Sequence, residues 1–106
     1  MSILSLTFHS TESALIQWQD YMQNELPSLV ENLMNVDQYI LSEVESEMIR
    51  EGSNTNLLLF FSTEKLRRDF LESELLNIEE RITQIFGTEV IIFSTLLNPK
   101  DKLIKK

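Results

Sequence analysis

The sequence contains no cysteine. Disulfides, thiolate chemistry and cysteine-ligated zinc are excluded together. Glycine occurs only as Gly52 and Gly87, so no glycine-rich loop exists to cradle a phosphate. Histidine occurs once, as His9, and proline twice, as Pro27 and Pro99. Bases are scarce: nine against seventeen acids, for a net charge of -8. Duplex binding draws on neutralised phosphates and needs a basic face. The one basic cluster is the segment 100–106, which reads as a solvated, mobile chain end. Nucleic acid is not an expected partner. No apolar run approaches the roughly 20 residues that cross a bilayer, and the start, Met1-Ser-Ile-Leu-Ser-Leu, lacks the basic opening of a secretory signal. A cytoplasmic protein away from membranes is expected.

What remains is an ordinary globular balance, 42% hydrophobic and 25% charged over 106 residues. That is one small domain, placed over residues 1–99 with 100–106 as its tail. Ile3-Leu-Ser-Leu-Thr-Phe-His9 alternates apolar and small polar residues, the period of a strand buried mainly on one face. Ser10 or Thr11 offers a cap oxygen and Glu12 a first-turn charge for a helix reaching about Asn24. On a wheel of ~100° per residue, Ala14, Leu15, Trp18, Tyr21, Met22 and Leu26 share one arc, and Ile16 alone faces outward. Pro27 cannot sit deep in a regular helix, so Ser28 to Met34 reads as a kinked continuation or a separate short helix that begins near Pro27.

Val36 to about Arg50 reads as a long strand with Ile40, Val44 and Met48 on one face and Glu43, Glu45 and Glu47 on the other. A turn at 51–55 leads to the strand Asn56–Ser62, apolar at every interior position. Thr63 caps one helix running to Phe86, with Leu66, Phe70, Leu71, Leu75, Ile78, Ile82 and Ile85 inward and Gly87 closing it. Glu89–Leu97 is a fourth strand.

The order βαββαβ is the α+β, ferredoxin-like arrangement: a four-stranded antiparallel sheet with two helices on one face. Two helices cover one face only, yet Leu57, Leu59 and Phe61 alternate with Leu58 and Phe60, and Ile91 and Phe93 with Val90 and Ile92. Whichever set meets the helices, the other lies bare in a monomer, and large bare apolar patches are rare on soluble monomers. A second copy is the simplest cover. Leu57, Leu59, Phe61, Ile91 and Phe93 are assigned to that homodimer interface, with Phe61 and Phe93 as anchors.

Trp18, Tyr21 and Met22, Pro27 beyond them, and Phe86-Gly87 leading into Phe93-Ser-Thr-Leu-Leu97 resemble a bacterial family, domain of unknown function number forty-two eighty-six. The resemblance runs through the first strand and helix and again through the last helix and strand. It implies the fold above as a dimeric α/β barrel, two sheets packed face to face, and it implies no reaction. Two positions depart from the family pattern: Ser5 where an asparagine is usual and Ser94 where an arginine is common. The resemblance places both between sheet and partner.

Each candidate site has two readings. The stripe Trp18, Tyr21, Met22 at i, i+3, i+4 is how an amphipathic helix buries itself; alternatively Tyr21, at the edge of the arc, puts its hydroxyl beside a cavity. His9 is a surface or cap residue, or a general base or haem ligand. Related dimeric-barrel monooxygenases and haem-degrading oxygenases use an Asn/Trp/His set, which this chain matches loosely, with Ser5 on the first strand and Trp18 on another helix. Glu43, Glu45 and Glu47 lie ~7 Å apart on one strand face, too far to converge on a metal unaided, and instead deter pairing at a sheet edge. Arg50, Arg67 and Arg68 are the candidate anion binders; the acids of their helix, as in Glu64–Arg68, absorb the last two. No Ser-His-Asp set is placed by a motif.

The expected protein is a non-enzymatic, ligand-binding or interaction homodimer without cofactor or metal. The alternative is a cofactor-independent monooxygenase or isomerase using His9, Trp18 and Tyr21 around a cavity between sheet and helices.

Overall fold

The computed structural model describes residues 1–33, 35–45 and 51–101. Strand β1 (Ser2–Ser10) alternates without a fault between buried and half-buried residues. It lies inside the sheet, antiparallel both to β3 (Ser53–Phe61) and to β4 (Val90–Leu97). Strand β2 (Gln38–Val44) pairs with β3, and the order β2-β3-β1-β4 makes β2 and β4 the edges. This is the ferredoxin-like arrangement the sequence implies. Met34, Glu47, Met48 and Arg50 lie outside the described residues, as does all of the tail beyond Asp101. Among the described residues no helix is long and apolar enough to cross a membrane.

Leu4, Leu6 and Phe8 from β1 and Leu57, Leu59 and Phe61 from β3 form one core with the helices. Helix α1 (Leu15–Asn24) contributes Trp18, Tyr21 and Met22, and α2 (Leu26–Glu31), with Pro27 in its first turn, adds Leu26 and Val30. The second helical layer divides into α3 (Glu64–Glu72) and α4 (Glu74–Phe86) rather than running unbroken. Ser73 causes the break: its backbone leaves the helix at φ -132°, ψ -77°, and its hydroxyl donates to the Asp69 carbonyl at 2.6 Å. That local bond competes with the helical ladder, as serine bonds inside helices do. Thr63 accepts from Leu66 N–H at 3.2 Å as the expected cap. Gly87 ends α4 at φ +60°.

Several expectations are corrected. Leu57, Leu59 and Phe61 are fully buried against the helices, so they do not belong to the sheet's open face. The register puts Leu58 and Phe60 there instead, with Ile91 and Phe93. Ser94 pairs with Leu6 and so lies on the helix side, whereas Ser5 is on the open face. Ile85 is exposed, and Phe86, nearer the centre of the α4 stripe, is buried in its stead. Helix α1 starts at Leu15, because the Thr11 and Ser13 hydroxyls bond the Glu89 carboxylate instead of capping it. Arg67 is not absorbed by helix acids. It is only 4% exposed, and its guanidinium donates to the carbonyls of Ile3 at 3.0 Å and Leu97 at 3.1 Å, tying β1 to β4. Arg68 does pair with Glu64, at 3.6 Å.

Candidate functional site

The structure separates His9 from the other two candidate catalytic residues, Trp18 and Tyr21. Trp18 is fully buried under the sheet, where its indole N–H donates to the Thr55 hydroxyl at 3.2 Å. Its ring lies 5.2 Å from Phe8 and 5.8 Å from Tyr21, and meets Phe86 edge-on at 5.6 Å. Trp18 is core. His9 pairs with Asn54 and Ile91 on the opposite face of the sheet, with Nδ1 2.6 Å from Asn54 Oδ1. The sheet therefore stands between His9 and the Trp18–Tyr21 pair.

Tyr21 stands on the helical side with Trp18. It is buried in the core yet lines a cleft of about 710 Å³. The cleft runs between α1–α2 and α4, with Ile16, Gln17, Asp20, Glu25 and Leu29 on one wall and Arg81, Gln84 and Ile85 on the other. Burial pushes the Tyr21 phenol above its ordinary pKa; Arg81 pulls it back and Glu25 adds to the rise. The hydroxyl is therefore a neutral donor near neutral pH. Arg81 escapes sequence reasoning, since nothing local marks it, and Ile85 reads there as part of the inward stripe. Ile16, the one apolar residue off the α1 stripe, is the signal that points here.

The second candidate surface is the open sheet face. Read across β2, β3, β1 and β4, its rows are Gln38-Phe60-Ile3-Leu97, Ile40-Leu58-Ser5-Thr95, Ser42-Asn56-Thr7-Phe93 and Val44-Asn54-His9-Ile91. Large apolar residues crowd one end and both edges, and a polar strip runs up the two inner strands. Asn56 is the hub of that strip: its amide donates to Ser5 Oγ at 2.8 Å, the Leu6 carbonyl at 3.3 Å and Thr7 Oγ1 at 3.4 Å. No position in these rows is Asp, Glu, Lys or Arg, in a chain that is 25% charged. Glu43 and Glu45 are exposed along the β2 edge. Among the described residues no three His, Asp or Glu side chains gather as metal ligands.

Glu89 closes the loop end of the sheet. Ser13 Oγ donates to its carboxylate at 2.6 Å and Thr11 Oγ1 does the same, while the Glu89 carbonyl accepts from Thr11 N–H at 3.0 Å. Those hydroxyls, Ser13 first, hold the carboxyl below its usual pKa. A carboxyl lowered on folding stabilises above its unfolded pKa and loses that contribution as pH falls through its folded one. The melting-temperature gap between wild type and Glu89→Gln is expected to be full above the ordinary carboxylate range and to narrow as pH falls through that range and below it. An equal gap at pH 7 and pH 3 would show that the hydroxyls do not favour the charged form.

Residues 1–100 match the family described as a domain of unknown function, DUF4286. The chain belongs to the DUF4286 family. No curated protein matches this DUF4286 sequence. Among solved structures, HapK from Hahella chejuensis is 7% identical at a TM-score of 0.66, covering 100% of this chain and 99% of its own. A dimeric ferredoxin-like protein from an uncultured marine organism is 11% identical at 0.67, covering 99% and 100%. SnoaB, a cofactor-independent oxygenase from Streptomyces nogalater, is 6% identical at 0.61, covering 98% of each chain. At such identities the likeness is one of fold. It gives this DUF4286 chain its ferredoxin-like class and no activity.

Proposed function

We propose that the protein is a cytoplasmic homodimer built by packing two open sheet faces together, and that it works as a binding or interaction module rather than as an enzyme. The observation that carries this reading is the uncharged face. Interface centres are depleted of charge relative to the remaining surface, and among the described residues the paired rows of this face carry none, while Ile40, Leu58, Phe60, Ile91 and Phe93 stand on it. Phe93 is 56% exposed in the single chain. A solvated face in a protein of net charge -8 would carry acids. The marine ferredoxin-like protein of the same fold is itself described as dimeric, which supports the same assembly here.

The oxygenase or isomerase alternative gains nothing from the candidate residues, because His9 lies across the sheet from Trp18 and Tyr21. Sedimentation equilibrium at micromolar concentration is expected to give twice the monomer mass. A monodisperse monomer at that concentration would overturn the proposal.

A further inference from the structure

Ile16 and Ile85, the two isoleucines that stray from the buried stripes of their helices, face the same cleft. Ile16 on α1 is 83% exposed and Ile85 on α4 is 55% exposed, and they stand on its opposite walls. Neither belongs to the core and neither lies on the open sheet face. Isolated exposed isoleucines need no explanation. Here Tyr21 and Phe86, both nearly buried, form the floor between them, and Leu29 extends the α1–α2 wall. The result is a trough with an apolar floor and apolar rims among polar side chains, and such an exposed apolar surface rimmed by polar residues marks a binding place.

Its polar groups define what would bind. Arg81 stands one helical turn before Ile85, close enough to act on the Tyr21 hydroxyl. Among the described residues Arg81 has no carboxylate within ion-pair distance. The phenol beside it remains a hydrogen-bond donor, and Gln17 and Gln84 add neutral donors on the two walls. Asp20 and Glu25 complete the lining. One negative charge on a ligand is answered by Arg81, whereas a second would meet these two acids. A volume near 710 Å³ matches the ~300–1,000 Å³ of small-molecule sites.

We propose that this cleft binds a small amphipathic monocarboxylate, its apolar body between Ile16, Leu29 and Ile85 and its carboxylate on the Arg81 guanidinium and the Tyr21 hydroxyl. Charge-assisted bonds of this kind are roughly twice as strong as neutral ones, so the acid should be preferred over its neutral isostere. The site lies on the helical side of the sheet and does not depend on the dimer.

Trp18, the only tryptophan, stacks on Tyr21 and gives a built-in reporter. Decanoate and decanol are titrated against the full-length protein, following Trp18 emission and binding heat. Decanoate is expected to give a saturable change at an affinity about tenfold above that of decanol. Arg81→Gln should bring decanoate down to the level of decanol while leaving decanol unaltered, and Ile85→Ser should weaken both. Both side chains are exposed, so the variants should keep the fold. The proposal is overturned by an absence of saturable binding, by equal affinity for acid and alcohol, or by full decanoate affinity in Arg81→Gln.

Discussion

Phe93→Asp is expected to turn a dimer into a folded monomer. Phe93 lies on the open face opposite Thr7, on an edge strand, and is more than half exposed in the single chain. An aspartate there costs the isolated subunit little, since water reaches it. In a face-to-face dimer the same carboxylate is buried without a partner, and two-fold symmetry buries it twice. The effective penalty for a buried ion is several kcal/mol even after relaxation, which corresponds to a loss of about a thousandfold or more in association. Sedimentation should therefore report the monomer mass while circular dichroism keeps its folded form. Leu58→Asp, one strand closer to the middle of the sheet, should do the same. Leu57→Asp is the contrast: that side chain is fully buried against the helices, so the variant should fail to fold rather than dissociate. A Phe93→Asp protein that keeps the native mass would place the subunit contact elsewhere.

The difference between Leu57 and Leu58 marks the limit of what the sequence discloses. Strand β1 announces its two faces, because Leu4, Leu6 and Phe8 alternate with Ser5, Thr7 and His9. Strand β3 is apolar on both sides from Leu57 to Phe61, so periodicity alone cannot orient it. Only its register against β1, with Asn56 opposite Thr7 and Leu57 opposite Leu6, decides the matter. A weak signal was available in Asn54 and Asn56, which share the parity of Leu58 and Phe60 and mark that set as the wetter one.

The candidate sites divide in the same way. Trp18 and Tyr21 could be placed from helical period, and so could the oddity of Ile16. The burial of Arg67 could not, because its partners are carbonyls of Ile3 and Leu97, far away in the chain. Arg81 becomes interesting only once α1 and α4 are set side by side. The break at Ser73 was hidden by an apolar stripe that continues across it, from Leu71 to Leu75.

Trp18→Ala should be the most destabilising single change in the helical layer. Phe8, Tyr21 and Phe86 surround the indole, and Tyr21 and Phe86 also touch each other edge-on, with ring centroids 5.5 Å apart. Such a cluster relaxes poorly around a void, and truncating a buried tryptophan costs about 3–5 kcal/mol. Thr55 adds to that figure: it is 1% exposed, and loss of the indole N–H removes the partner of its hydroxyl. Trp18→Phe isolates this second effect, because it keeps most of the ring while stranding the same hydroxyl, at about 1–3 kcal/mol. Domains of this size rarely hold more than 5–15 kcal/mol in total, so the alanine variant should show a much lower urea midpoint and the phenylalanine variant an intermediate one. Equal midpoints for wild type and Trp18→Ala would mean that Trp18 is not part of a packed core. The first helix would then need to be re-registered on the sheet, and the cleft beside Tyr21 with it.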